Sequence, residues 1–114
     1  MVVANKIIHL NDFINTAVFR VTDTACFLWQ HMDDAHIIYD ERSGHSQALN
    51  DFAYEILDII GEKPCRLSDI LATLARILER PLEEELTQQV FQTVAEFDKM
   101  GLIEPVKPSG EVSQ

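Results

Sequence analysis

By residue type, the four histidines and two cysteines are the side chains of this 114-residue chain best suited to chemistry. His31, His36 and His45 lie in one strand-rich stretch with Cys26 just upstream, and imidazole and thiolate are zinc ligands. Their spacing matches no paired-ligand motif. Two readings stay open: a metal cluster assembled by strand pairing, or three half-exposed strand residues. Cys26 and Cys65 lie far apart with no redox spacing, as expected of two reduced thiols. Ser43 and Ser46 flank His45, but a hydrolytic triad draws its members from distant segments. Glu83, Glu84 and Glu85 read as a solvated helix start rather than a paired-carboxylate site. Gly44, Gly61, Gly101 and Gly110 stand alone, so no glycine-rich phosphate loop exists. The expectation is no catalytic residue, no metal and no cofactor: a binding protein, not an enzyme.

Charge narrows what it binds. The formal net charge is −10, with 19 acids against 9 bases. Phosphate backbones call for clustered Lys and Arg, so nucleic acid is disfavoured, and anionic membranes with it. No apolar run approaches the ~20 residues of a spanning helix. The N-terminus lacks the long apolar core and small-residue cleavage site of a signal peptide. A cytoplasmic protein is expected.

The elements that must position any site follow from periodicity. Residues 16–21 alternate with β-branched side chains and read as a strand, with Ala17, Phe19 and Val21 on one face. Residues 25–32 read as the next strand, and Asp33 and Asp34 as a tight turn. Residues 36–39 and 45–49 complete an antiparallel meander, joined by the turn chemistry of Asp40, Glu41, Arg42, Ser43 and Gly44. Asn50 is a helix cap. A first helix is expected over 51–60, with Phe52, Ala53, Ile56, Leu57, Ile59 and Ile60 inward and Tyr54, Glu55 and Asp58 outside the stripe. Gly61 is its expected C-cap. A second helix, capped by Ser68, is expected over 69–78 with Ile70, Leu71, Leu74, Ala75, Ile77 and Leu78 inward. A third starts at Pro81 and ends at Gly101, with Leu82, Leu86, Val90, Val94, Phe97 and Met100 inward. Leu102 and Ile103 return to the core. The fold class expected is α+β, winged-helix-like: a small antiparallel β-meander followed by three α-helices. Residues 1–23 are expected as an N-terminal arm or extra strand, 24–106 as the main folded domain, and 107–114 as a disordered tail.

A sheet edge joined directly to a capped helix suits an extended peptide, which gains backbone hydrogen bonds from the edge. The edge is His45, Ser46, Gln47, Ala48 and Leu49. Phe91 falls off the third helix's stripe; it is either second-layer core or part of a groove beside that edge. Residues 51–104 carry twelve acids and five bases, which would steer in a peptide of basic character.

The strings SGHSQALN, DFAYEILDII, RLSDILATLA and FDKMGLIEPV resemble the PqqD family of peptide chaperones. The matching positions are Leu49, Asn50, Ala53, Ile56, Leu57, Leu67, Ser68, Ile70, Gly101, Leu102 and Ile103. The Ser43-Gly44-His45 turn and Trp29 look most like the subgroup found with relatives of HPr kinase. The resemblance implies a RiPP recognition element. Such a domain binds the leader of a ribosomally made precursor peptide by strand addition and presents it to a modifying enzyme, such as a radical SAM protein or an HPr-kinase relative. Mapped here, the site is His45, Ser46, Gln47, Ala48 and Leu49 on the strand, with Gln88, Phe91 and Ala95 on the third helix. The longer N-terminal region leaves room for a homodimer contact. The rival reading is a winged-helix DNA-binding regulator, although the third helix offers mainly Glu, Gln and Thr. An adaptor that docks a protein without peptide is a third.

Overall fold

The structure, a computed structural model, describes residues 14–106. The expected tail at 107–114 and the first part of the expected arm, 1–13, lie outside the described residues. Residues 14–16 are helical, and Ile14 is buried. Strand β1 (Val18–Val21) follows, then a 3-10 turn over Thr24–Cys26. The meander is β2 (Phe27–His31), β3 (His36–Asp40) and β4 (His45–Leu49). Helix α1 (Asp51–Glu62), strand β5 (Cys65–Arg66), helices α2 (Leu67–Leu78) and α3 (Glu84–Met100), and strand β6 (Ile103–Pro105) complete the order. The architecture is α+β, a meander followed by three helices.

The described residues form two three-stranded antiparallel sheets, ordered β2-β3-β4 and β5-β1-β6. Strand β1 is central in the second sheet, pairing Phe19 with both Cys65 and Pro105. Phe19 is fully buried there, and Arg20, one residue on and facing out, meets Glu104 at 2.8 Å. The described part of the expected arm is therefore integral to the core. That core joins Phe19, Ile38 and Leu49 from the strands to Ile56, Ile60, Ile70, Leu74, Val90, Val94 and Phe97 from the helices.

Local chemistry sets the helix ends, and three of them differ from the sequence expectation. Asn50 caps α1 as expected, its side chain accepting the Ala53 N–H at 2.8 Å. Gly61 is not a cap but lies inside α1, which runs on to Glu62 before Lys63 and Pro64 stop it. Ser68 is not the cap of α2. Residues Cys65 and Arg66 pair with β1, which pulls Leu67 into the core and starts the helix there. Asp69 takes the Arg66 N–H at 2.9 Å instead. Helix α3 starts at Glu84 rather than Pro81, because Leu82 turns inward against the core while Glu83 stays extended. Gly101 ends α3 as expected, at φ +82°, with Leu102 N–H bonded to the Phe97 carbonyl at 3.0 Å.

Burial also departs from the expected stripes. Ile77 and Leu78 are exposed, because the last turn of α2 runs beyond the core. Tyr54, expected outside, is half-buried against the sheet. The strand expected over 25–32 begins only at Phe27, since Asp23 caps the 3-10 turn through the Ala25 N–H.

The two glycines give opposite predictions. Gly61→Ala removes chain entropy from the unfolded state and places a methyl 3.7 Å from Val21, an ordinary contact. It should stabilise by up to about 1 kcal/mol. Gly101→Ala puts a β-carbon at positive φ and should destabilise by about 1 kcal/mol. Urea unfolding of both variants measures this; a loss of stability in Gly61→Ala would contradict the helical placement of residue 61.

Candidate functional site

Strand β4 lies at the edge of the meander, paired only with β3 among the described residues. His45, Ser46, Gln47 and Ala48 are exposed, and Leu49 is buried. Its hydrogen-bonding direction follows from the register. The Glu41 N–H donates to the Cys26 carbonyl, and the Met32 N–H to that of Ala35. Odd-numbered residues of β3 therefore bond to β2, and antiparallel alternation turns His36, Ile38 and Asp40 toward β4. Their partners Leu49, Gln47 and His45 have bonded backbones. Ser46 and Ala48 thus carry the N–H and C=O groups that point away from the sheet.

A cleft of about 170 Å³ lies beside this strand, walled by Ile38, His45 and Gln47 from the sheet and by Lys99 and Met100 from α3. A second, of about 340 Å³, continues along α3 to the start of α1, bordered by Phe52, Gln89, Gln92, Thr93 and Glu96. In one row of α3, spaced as a helix requires for a shared face, Met100 borders the first cleft and Gln89, Thr93 and Glu96 the second.

Of the helix residues expected at this groove, Gln88 and Phe91 border neither cleft. Gln88 is exposed on the outer face. Phe91 is half-buried against the core, so it is second-layer packing. Ala95 borders an adjoining cavity with Ile14, which shares Lys99 and Met100 with the first cleft and Gln92 and Glu96 with the second. The correction is one of angle. At 100° per residue, choosing positions 88, 91 and 95 instead of 89, 93 and 96 turns the lining by about a third of a circle.

The turn that launches β4 is tied down by the one buried charged residue among those described. Asp40 is 6 % exposed. Arg42 grips it as a fork, Nε to Oδ1 and Nη2 to Oδ2, both at 2.9 Å. Asp40 Oδ1 also accepts the Arg42 backbone N–H, and the Asp40 carbonyl accepts that of Gly44, which sits at φ +77°. Arg42 Nη2 donates further to Thr22 Oγ1 and to the Gly101 carbonyl. Its guanidinium lies 5.3 Å from the Phe27 ring centre. This network was not foreseen from sequence, where Arg42 read only as a turn residue; an Asp followed two residues later by Arg is too common to signal it.

The histidines separate. His31 and His36 are cross-strand partners at one end of the meander, their Nδ1 atoms 2.8 Å apart. His36 Nε2 meets Asp51 Oδ1 at 2.8 Å, so one chain of hydrogen bonds runs from Asp51 through His36 to His31. His45 pairs with Asp40 at the other end, roughly 13 Å along the strands, and Cys26 lies at that end too. The strand-assembled cluster of His31, His36, His45 and Cys26 does not form. Among the described residues no group of three His, Cys, Asp or Glu is placed to hold a metal ion.

Both thiols are free. Burial pushes the Cys26 thiol up, helped by its hydrogen bond to Asp23, and burial does the same at Cys65. Neither is an activated nucleophile. Among the described residues no helix is long and apolar enough to cross a membrane.

The Arg42 fork holds the Asp40 carboxyl below its ordinary range, overcoming the opposing effect of burial. A carboxylate shifted down contributes stability above its unfolded value, near pH 4, and loses it as pH falls through the folded value. The melting temperature of Asp40→Asn should therefore lie below that of the wild type at neutral pH. The gap should begin to narrow as pH falls to about 4 and close only below the folded value, where both side chains are neutral. A gap that stays constant down to pH 2 would show that the charge of Asp40 contributes nothing.

Compared with family models, curated proteins and solved structures, the chain matches none.

Proposed function

We propose that this domain is a non-catalytic peptide-binding module, in which an extended segment adds as a fourth strand to β4 and is covered by α3. The observation that carries the reading is the outward-facing backbone of Ser46 and Ala48 on an exposed edge beside a helix-lined cleft. Strand addition gains its affinity from such backbone groups and its selectivity from flanking pockets. The acidic balance of the chain favours a segment of basic character. By resemblance to the PqqD family, the segment is the leader of a precursor peptide, presented to a modifying enzyme such as a radical SAM protein or an HPr-kinase relative. The DNA-binding alternative finds little support on α3, whose face away from the core offers Glu84, Glu85, Gln88, Gln92 and Glu96 against Lys99.

Fluorescence anisotropy with labelled peptides encoded beside the gene tests the reading. Ala48→Pro deletes an outward N–H without touching the bonds to β3, and should weaken binding by about tenfold or more. Gln88→Ala should leave it unchanged. Hydrogen exchange adds a positional readout: peptide should slow exchange at Ser46 and Ala48 and leave Gln47 as it was. Binding that is indifferent to Ala48→Pro, or no binding across the peptide panel, would sink the proposal.

A further inference from the structure

On the far side of the meander from β4, a third cleft opens between β2 and α1. Its volume is about 240 Å³. That is below the ~300–1,000 Å³ of small-molecule sites and fits a single inserted side chain. Phe27 and Trp29 line it from β2, Tyr54 and Leu57 from α1, and Asp58 and Glu62 stand at its border.

The aromatic walls are held in place before any ligand arrives. The Trp29 and Tyr54 rings meet edge to face, centres 5.3 Å apart and planes at 86°. Tyr54 in turn stacks on His36 at 4.1 Å, and His36 is fixed by Asp51. Trp29 nevertheless stays 37 % exposed. The border is negative and unspent. Asp58 and Glu62 lie one turn apart on α1, close enough to share one cation. Neither is in an ion pair among the described residues; the four pairs found involve Arg20, His36, Arg42 and Arg80 with other acids. Asp58 and Glu62 also line the adjoining groove between α1 and α2 with Lys63 and Arg76, without forming an ion pair to either.

Electron-rich ring faces attract cations, and two carboxylates a helical turn apart suit the planar fork of a guanidinium better than the point charge of an ammonium. The domain already uses the same pairing once, with Arg42 beside Phe27 and Asp40. We infer that this cleft is a receptor for an arginine side chain of a partner polypeptide. The aliphatic stem would lie along Leu57, and the guanidinium between the Trp29–Tyr54 walls and the carboxylates of Asp58 and Glu62. The net charge of −10 would draw such a partner in from a distance. This inference does not rest on strand addition at β4, since it uses a different edge and a different helix.

Trp29 is the only tryptophan in the chain, so its emission reports on the cleft directly. The probe is an acetylated, amidated Gly-Gly-Arg-Gly-Gly peptide, titrated beside its citrulline and lysine counterparts. The arginine peptide should change Trp29 emission saturably, with citrulline at least about tenfold weaker and lysine intermediate. The exposed double substitution Asp58→Asn, Glu62→Gln should weaken the arginine response by a similar factor at an unchanged melting temperature. Ala48→Pro should leave it intact, which separates this site from the β4 edge. Equal responses to arginine and citrulline, or none to either, would overturn the site. A lysine response equal to that of arginine would overturn its assignment to guanidinium.

Discussion

The forked ion pair between Asp40 and Arg42 is the constraint on which the arrangement of this domain depends. Its two residues belong to the turn between β3 and β4, but its reach is longer. Through Thr22 and the Gly101 carbonyl it touches the end of β1 and the end of α3, and Thr22 itself bonds the Gly101 and Leu102 carbonyls. One guanidinium therefore joins the meander to the second sheet and to the last helix. A buried carboxylate is costly unless its oxygens are satisfied; here both accept from Arg42, and the backbone adds a third bond. Truncating Arg42 alone would strand that carboxylate. Replacing both residues by apolar ones would spare that cost but release the joint. The pair is better understood as setting where the sheets sit than as a source of net stability.

That joint has a direct bearing on the β4 edge. An edge strand with open backbone groups is an aggregation hazard, commonly blunted by proline, lysine or a bulge. His45, Ser46, Gln47, Ala48 and Leu49 include none of these. The strand is held instead from its two ends. The Asp40–Arg42 turn and Gly44 fix its start, and buried Leu49 with the Asn50 cap fixes its finish against α1. An edge immobilised at both ends has little ordering entropy left to lose when another strand adds to it, which favours association over an equally exposed but mobile edge.

Much of this architecture was legible in the sequence, because it rests on periodicity and on residues with narrow conformational roles. The meander, its Asp33-Asp34 and Ser43-Gly44 turns, the Asn50 cap and the Gly101 terminus all follow from such signals. The misplaced helix starts have a common cause. At Ser68 and Pro81 a good local start signal was outweighed by a neighbour that tertiary structure needed, Leu67 in one case and Leu82 in the other. The site was legible to the extent that it is local. The exposed strand could be read, but the facing row of α3 could not, since an error of one residue rotates a helix by 100°. The His31–His36 pair was within reach: a two-residue turn at Asp33-Asp34 makes residues 31 and 36 cross-strand partners. The Arg42 joint was not, because its acceptors lie 20 and 59 residues away in sequence.

The two proposed binding features divide the meander between them. Strands β2 and β4 flank β3 on opposite sides, about 10 Å apart. One is bordered by α1 and the other by α3. A single extended segment lying along β4 cannot also place a side chain in the β2 cleft without leaving the strand and crossing the sheet. The geometry therefore favours separate occupants. Strand β3 hydrogen-bonds to both neighbours along its whole length, so the spacing between the two positions is fixed by the sheet rather than by a loop. If both proposed sites are used, the domain would hold a peptide at one edge at a set distance from a protein docked at the other. On the proposed reading, a fixed distance between peptide and docked protein is what the domain would contribute to another protein's chemistry.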